Sequence, residues 1–233
     1  RHGMWMTAVA GEGTAMERDY DLDSRTFFED LESPVEIGRR AGERAVRRLN
    51  PQKLSTRTTN VIYESRAARS ILGHLVGAIN GASIARKTSF LKERMNEAVF
   101  APGIQVVDDP FKRRGAATRP FDGEGTRADV LNVIEDGVLK HWFLDGASAR
   151  ELGLTPNGRA HRSGSGTSPG ATNITLMPGD KSLEELMADA GEGLLVTDLI
   201  GHGVNGLTGD YSRGASGFWF ENGQIVEPVS EIT

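Results

Sequence analysis

The chain has 233 residues, enough to bury one good core, or one domain together with part of another. Its net charge of −5 argues against a general nucleic-acid binder, and the lack of cysteine excludes disulfides, thiol nucleophiles and thiolate metal sites within it. No apolar run reaches the roughly 18 residues that a membrane helix requires, so we expect a cytoplasmic protein without membrane contacts.

The chain begins and ends within or next to sequences that are typical of β-strands. Residues 4–10 are a strand-like run that begins almost at the first residue, which is not methionine. The last residues, 231–233, follow directly after another strand-like run, and the start lacks the apolar segment of a signal peptide. We therefore expect a fragment of a longer protein, with a domain missing before it and a tail missing after it.

The first helix signal lies early in the chain. Ser33, Pro34 and Glu36 form the pattern of a capping box with proline at the first helical position, which predicts a helix over 34–49. Apolar side chains recur every four residues along it, opposite a face of arginines and glutamates; they are Ile37, Ala41, Ala45 and Leu49.

A polar linker follows at 52–60 and indicates a domain boundary. We assign 1–58 to the end of a preceding α/β domain and 59–233 to a C-terminal domain that is truncated at its end. A second helix is predicted at about 66–79 by its broad apolar face, with Asn80 and Gly81 as its C-terminal stop.

The remainder alternates short strands with glycine turns. Glu-Asp-Gly and Glu-Asn-Gly turns predict two hairpins, Ser182 predicts a capped helix at 182–190, and the Gly/Ser/Arg-rich stretch 158–170 indicates a loop. The predicted strands are 59–64, 104–107, 130–134, 138–144, 171–177, 194–200, 218–220 and 224–226. This pattern favours an α+β fold with a mainly antiparallel, barrel-like C-terminal domain and a few helices.

Several motifs resemble catalytic signatures without the structural context that such signatures need. Residues 201–206 fit G-x-G-x-x-G, but the glycine-rich continuation cannot form the helix that binds a dinucleotide, and 166–170 fits G-x-S-x-G without a flanking strand and helix. The basic run 112–114 and the carboxylates of Asp108, Asp109, Asp122 and Glu124 are interpreted as solvated loop residues.

The five histidines show no H-E-x-x-H spacing, so they predict no zinc site by themselves. His161 and His202 lie in glycine-rich segments, where a polar contact to a peptide or a partner is a reasonable hypothesis. We include three further polar residues near His202 as candidate contacts of the same kind: Asn205, Asp210 and Arg213.

The long run 201–233 strongly resembles the TldD/PmbA family, and in particular its PmbA or TldE branch, also known as modulators of DNA gyrase. The segments 69–77, 120–125, 135–140 and 148–153 match the same pattern. The resemblance implies a relation to a zinc peptidase whose TldD subunit carries an H-E-x-x-x-H helix motif and a further cysteine ligand.

Laid on this sequence, that motif's first histidine falls at Arg69, its glutamate at Ser70 and its second histidine at His74. A guanidinium cannot bind zinc, and a serine cannot act as the carboxylate base. The resemblance therefore implies a subunit that is inactive by itself, with no catalytic residue and no cofactor of its own, and with zinc in a TldD-like partner.

The implied function is that of the non-catalytic subunit of a heteromeric metalloprotease acting on unfolded peptides, as in peptide maturation and antitoxin degradation. Extended peptides would bind to its strands and glycine loops by strand addition. The isolated subunit could form a homo-oligomer, and no direct nucleic-acid contact is expected. The alternative is a binding module that modulates DNA gyrase by direct protein contact, and a stand-alone hydrolase using Ser168 is a third and weaker hypothesis.

Overall fold

The computed structural model describes the whole chain from Arg1 to Thr233, which divides into two compact units. The first unit comprises residues 1–69, 180–202 and 212–233, and the second comprises 70–179 and 203–211. The five α-helices are α1 (Pro34–Arg47), α2 (Ser65–Ala78), α3 (Gly81–Ala85), α4 (Gly146–Leu152) and α5 (Leu183–Ala190). None of them is long and apolar enough to cross a lipid bilayer.

The first unit contains a hairpin and a four-stranded sheet. The hairpin joins β1 (His2–Ala10) to β2 (Glu17–Arg25), and the sheet has the order β12-β11-β10-β3. Only the β10–β3 pair is parallel. The strands of the sheet are β3 (Asn60–Tyr63), β10 (Glu192–Ile200), β11 (Gly214–Glu221) and β12 (Gln224–Ile232).

The second unit contains another open four-stranded sheet and a short hairpin. The sheet has the order β6-β5-β4-β9 and is antiparallel throughout, and β7 pairs with β8 in the hairpin. Its strands are β4 (Val106–Asp108), β5 (Leu131–Glu135), β6 (Val138–Leu139), β7 (Ala160–Ser163), β8 (Gly166–Pro169) and β9 (Ile174–Leu176). The predicted α+β class with antiparallel pairing is confirmed, and neither four-stranded sheet closes into a barrel.

Separate apolar clusters hold the two units together internally. In the second unit, α2 packs Leu75 and Ala78 against residues of β4, β5 and β6, with Phe143 fully buried among them. In the first unit, Trp219 and Val229 of the sheet pack with Leu194 and Val196. Burying a side chain of this size contributes roughly 1.5–3 kcal/mol, so these clusters are the main stabilising feature of each unit.

Ion pairs add to apolar packing between the first hairpin and α1, whose Ile37, Ala41 and Ala45 are fully buried. Aspartates at every second position of β2 face the same side of the hairpin, and arginines at every fourth position of α1 form one face of the helix. Arg40 and Arg44 each reach Asp21 at 2.6 Å. The aspartates are Asp19, Asp21 and Asp23, and they are buried; the arginines are Arg40, Arg44 and Arg48.

The predicted first helix is confirmed, but its predicted capping box is wrong. Ser33 makes no side-chain hydrogen bond to the helix start, and Glu36 pairs with Arg39 at 2.8 Å instead. The helix ends at Arg47 rather than at residue 49, and its buried positions are Ile37, Ala41 and Ala45. The capping box at Ser182 of α5 is present, with reciprocal hydrogen bonds to Glu185.

Two other local predictions are wrong. Asn80 does not stop α2 in a glycine C-cap; it caps α3, because its side chain accepts hydrogen bonds from the backbone of Ala82 and Ser83. The predicted loop 158–170 contains the β7–β8 hairpin. Its glycines and serines gave no alternation of apolar and polar residues, so the usual strand signal was absent.

Candidate functional site

Helix α2 carries the residues of the degenerate metal motif on two successive turns, Arg69 and Ser70 on one and His74 on the next. Ser70 and His74 are four residues apart and therefore lie on the same side of the helix, while Arg69 is exposed. Leu75 and Ala78 point into the core of the second unit and fix the rotation of the helix there. The helix thus holds Ser70 and His74 on a rigid element, and both side chains are partly buried.

The loop 203–211 folds back on itself in a tight turn. Asn205 donates its backbone N–H to the carbonyl of Asp210 at 2.9 Å, and Val204 and Tyr211 form a bridge. The Asn205 side chain accepts hydrogen bonds from the backbone of Leu207 and Thr208 at 3.0 and 3.4 Å. The Asn205 side chain is therefore occupied in holding the turn.

This loop packs on the region around His74. The rings of His74 and Tyr211 meet edge to face, with centroids 5.8 Å apart. Phe90 donates its backbone N–H to the carbonyl of Gly206 at 3.0 Å, and a side chain at Gly209 would lie 3.1 Å from the Phe90 ring. Helix α2 and the loop 203–211, which the sequence motifs indicated separately, are thus in contact. The contact residues Tyr211 and Phe90 were not among the candidate residues predicted from the sequence.

The remaining candidates have different surroundings. His202 is exposed, and Asp210 accepts a hydrogen bond from Thr208 Oγ1 at 2.6 Å within its own loop. Arg213 donates to the carbonyl of Leu199 at 3.3 Å. Asp210 and Arg213 therefore have local structural partners.

His161 lies on β7 and hydrogen-bonds within the second unit. Its Nε2 lies 2.8 Å from the carbonyl oxygen of Ala171 and 3.0 Å from Arg119 Nη2, and its Nδ1 lies 3.4 Å from Arg119 Nη1. Burial lowers the pKa of Arg119, and the nearby charge of Arg159 adds to this effect. The ring therefore positions an arginine inside the unit rather than facing solvent freely.

The carboxylates of Asp108, Asp122 and Glu124 do not form an acid–base pair. Asp108 is fully buried and pairs with Arg159, and Asp122 accepts hydrogen bonds from the backbone of Thr126 at 3.0 Å and of Ala160 at 3.0 Å. Glu124 accepts from the N–H of Gly146 at 2.7 Å, at the start of α4. The interpretation of Asp108 and Asp122 as solvated residues is wrong, because both are buried structural acceptors.

The hairpin β7–β8 has one partly open edge beside a groove, where Asn80 donates to the carbonyl of Pro169 at 2.7 Å but no neighbouring strand pairs with Thr167 on the side away from β7. Ala160 directs its N–H to Asp122 and its carbonyl to the N–H of Gly123, away from β8. Because pairs alternate along an antiparallel ladder, Thr167 directs its own N–H and carbonyl away from β7. Thr167 lines a groove of about 530 Å³ whose walls come from α3, α4 and β8.

The donor set does not fit the zinc ion that the family implies. Across the chain, no three or more His, Asp or Glu side chains converge into a group that could hold a metal ion, and there is no cysteine. At α2 only His74 has a side chain suited to zinc, because Arg69 carries a permanent positive charge and Ser70 a neutral hydroxyl. These residues therefore supply no metal centre of their own.

The fold and these sequence features define a family. The chain belongs to the PmbA/TldD family: residues 56–233 match the PmbA/TldA metallopeptidase C-terminal domain, and residues 1–49 match the PmbA/TldA metallopeptidase central domain. The family expected from the sequence motifs is confirmed.

Curated relatives of this chain occur in bacteria and archaea. The metalloprotease PmbA of Escherichia coli O157:H7 is 40% identical over 233 residues, which are 100% of this chain and 50% of that protein. A metalloprotease PmbA homologue of Haemophilus influenzae is 39% identical over 100% of this chain and 50% of its own length. The chain thus spans about half the length of the curated relatives that it matches.

Solved structures share the fold. A candidate modulator of DNA gyrase from Thermotoga maritima matches with a TM-score of 0.90 and 29% identity, over 98% of this chain and 53% of that chain. One from Bacteroides thetaiotaomicron matches with a TM-score of 0.88 and 30% identity, over 98% and 50%. TldE from Thermococcus kodakarensis, with a TM-score of 0.82 and 22% identity over 97% and 52%, supports the fold alone.

Proposed function

We propose that this chain belongs to the non-catalytic subunit of a two-subunit zinc metalloprotease of the TldD/TldE type. The observation that carries the proposal is the composition of α2, where Arg69 and Ser70 occupy the positions of a zinc ligand and a catalytic carboxylate. Zinc would be bound by a TldD-like partner, and this chain would complete the chamber in which the partner cleaves unfolded peptides.

The rigid surroundings of His74 support a structural use of the helix. His74 packs against Tyr211, and the loop 203–211 is fixed to Phe90 through its backbone. A zinc ligand must have a ring nitrogen directed at the ion, together with other donors at about 2 Å, and no such group of donors converges at His74. Here the loop 203–211 covers the same helix face. On this proposal the loop, held in place by the helix, is the part that contacts a partner.

The open edge of β8 supports the binding of extended peptides. A peptide strand lying in the groove could exchange two backbone hydrogen bonds with Thr167, and such bonds do not depend on the peptide's sequence. This property suits a subunit that handles unfolded chains, for example in peptide maturation or antitoxin degradation. We further propose a cytoplasmic location and self-association when the partner is absent.

The proposal is tested by purifying the full-length protein and a TldD-like partner separately and together. We expect no stoichiometric zinc and no peptidase activity from the subunit alone, and activity against an unfolded substrate such as casein from the mixture. Metal-dependent cleavage by the subunit alone would overturn the proposal. A partner with its own zinc motif disrupted is the matched control for activity of the mixture.

A second candidate function is direct modulation of DNA gyrase, favoured by the names of the Thermotoga maritima and Bacteroides thetaiotaomicron relatives. It requires a protein–protein contact, because the net charge of −5 disfavours binding to DNA. Co-sedimentation of the full-length protein with purified gyrase, in the absence of a TldD-like partner, distinguishes the two functions. A complex supports direct modulation, and no complex leaves the protease role.

A further inference from the structure

Two consecutive loops of the second unit share one construction. The first runs from Pro110 to Arg119 and is closed by a hydrogen bond from the N–H of Arg119 to the carbonyl of Pro110 at 2.9 Å. The second runs from Pro120 to Ala128 and is closed in the same way at 3.1 Å. Because Pro120 follows Arg119 directly, the first closing bond brings the starts of both loops together.

Each loop exposes an aromatic ring directly after its proline. Phe111 is 48% exposed and Phe121 is 60% exposed. About half of each of these large apolar side chains stays in water, where it contributes nothing to the stability of the fold. A pair of them at the joined loop starts is a feature of surfaces that bind another molecule.

The first loop is rigid although it has no apolar core. Asn173 lies inside it, accepting a hydrogen bond from the N–H of Ala117 at 3.0 Å and donating to the carbonyl of Asp109 at 2.8 Å. Thr118 Oγ1 donates to the carbonyl of Lys112 at 2.6 Å. The loop backbone is thus already ordered in the free protein, which lowers the entropic cost of binding a ligand there.

The tip of this loop carries positive charge that the loop itself does not neutralise. Lys112 and Arg113 are adjacent and exposed, and residues 110–119 contain no Asp or Glu. Lys112 and Arg113 form no ion pair in the structure. In the second loop, the Glu124 carboxylate is held towards β8 and the start of α4, where its two oxygens accept from Thr167 and from the N–H of Gly146. A rigid cluster of like charges repels itself, and an anionic ligand relieves that repulsion.

We propose that these two loops, which we call the basic–aromatic surface, are a docking site for an acidic segment of another polypeptide. Carboxylates would pair with Lys112 and Arg113, and an apolar side chain would pack on Phe111 and Phe121. The few cations present match a short acidic segment, whereas duplex DNA requires many phosphate contacts and would be repelled by the net charge of −5. This surface does not depend on zinc or on the proposed protease partner.

The test measures binding of a short fluorescein-labelled peptide of glutamates and phenylalanines to the full-length protein by fluorescence anisotropy. We expect saturable binding that weakens between about 50 mM and about 300 mM salt, because exposed charges are screened. The same peptide with every Glu replaced by Gln should bind about tenfold more weakly or worse. In the protein, Lys112→Glu with Arg113→Glu should cause a loss of the same size, and Phe111→Ser a smaller one.

The matched control is the double change Lys87→Glu with Lys92→Glu, which reverses two cations of the same unit that line neither these loops nor the groove beside β8. It should change the affinity by less than about twofold. An equal loss in the control, equal binding of the Gln peptide, or tighter binding of duplex DNA than of the Glu peptide would each overturn the proposal. Circular dichroism of the variants checks that the fold is kept, and neither double variant removes an internal ion pair.

Discussion

At the scale of single residues, the ion pair between Arg159 and Asp108 is the most completely buried polar contact in the chain, with both side chains at 0% exposure. The guanidinium also donates to the carbonyl of Asp129 at 2.7 Å and of Asn157 at 3.0 Å. Asp108 accepts from the N–H of Thr172 at 2.8 Å. Because the guanidinium and the carboxylate both have partners, the pair connects β4 to the segments on either side of the β7–β8 hairpin without leaving an isolated charge.

Removing Arg159 should therefore be costly. Arg159→Met leaves the Asp108 carboxylate buried without its partner, and we expect the free energy of unfolding to fall by about 3–5 kcal/mol. Urea denaturation followed by circular dichroism measures this. Arg127→Met is the control, since Arg127 is 83% exposed in its pair with Asp129 and should cost less than about 0.5 kcal/mol. Equal stability of the two variants would contradict this account of the buried pair.

At the scale of elements, the hairpin β1–β2 and helix α1 depend on charge. Burial alone would raise the pKa of Asp21, but hydrogen bonds from Arg40 and Arg44, together with their charges, outweigh it and hold the pKa below its usual 3.8. Asp19 behaves in the same way: hydrogen bonds from Arg66 and from the N–H of Tyr20 outweigh burial and lower its pKa. These carboxylates stabilise the unit above their unfolded pKa, and the stabilisation is lost as pH falls through their folded pKa.

The lowered pKa of Asp21 predicts how the stability of the protein depends on pH. Asp21→Asn should lower the free energy of unfolding by about 1–3 kcal/mol at neutral pH, because it removes charged hydrogen bonds to two arginines. The difference from the unchanged protein should narrow below about pH 4, where the carboxylate becomes protonated in the unchanged protein as well. Asp180→Asn, at an exposed position, should show neither effect. A difference that stays constant with pH would contradict the electrostatic explanation.

The two helix starts that look alike in the sequence should differ in stability. Ser182 of α5 makes its capping hydrogen bond, so Ser182→Ala should cost about 1 kcal/mol. Ser33 of α1 makes none, so Ser33→Ala should cost only a few tenths of a kcal/mol. Urea titration of the two variants side by side provides the comparison. A larger loss for Ser33→Ala would show that the capping box of α1 forms in solution.

Periodic and turn-based signals predicted the elements that have them. The apolar stripe of α1 and the hairpins closed by Asp136-Gly137 and Asn222-Gly223 were found from sequence, because left-handed turn residues are distinctive there. Helices α3 and α4 are only five and seven residues long, too short for a periodic stripe, and their caps alone were not recognised. The site could be located from the motif on α2, but its contact with Tyr211 depends on tertiary packing between distant segments.

At the scale of the whole molecule, the chain spans about half the length of the curated relatives that it matches, and no three or more of its His, Asp or Glu side chains converge into a group that could hold a metal ion. Helix α2 holds Ser70 and His74, the open edge of β8 suits extended peptides, and the basic–aromatic surface suits an acidic segment. In the proposed division of roles, the partner subunit carries out the catalytic chemistry and both subunits bind the substrate.

The most direct test of that division is the zinc content and peptidase activity of the reconstituted complex after substitution in this chain alone. His74→Gln removes the one side chain of the motif that could bind zinc, so the account predicts unchanged zinc stoichiometry and activity within about twofold. Loss of a zinc equivalent, or a fall in activity of about tenfold or more, would contradict the account, because it would place His74 among the metal ligands.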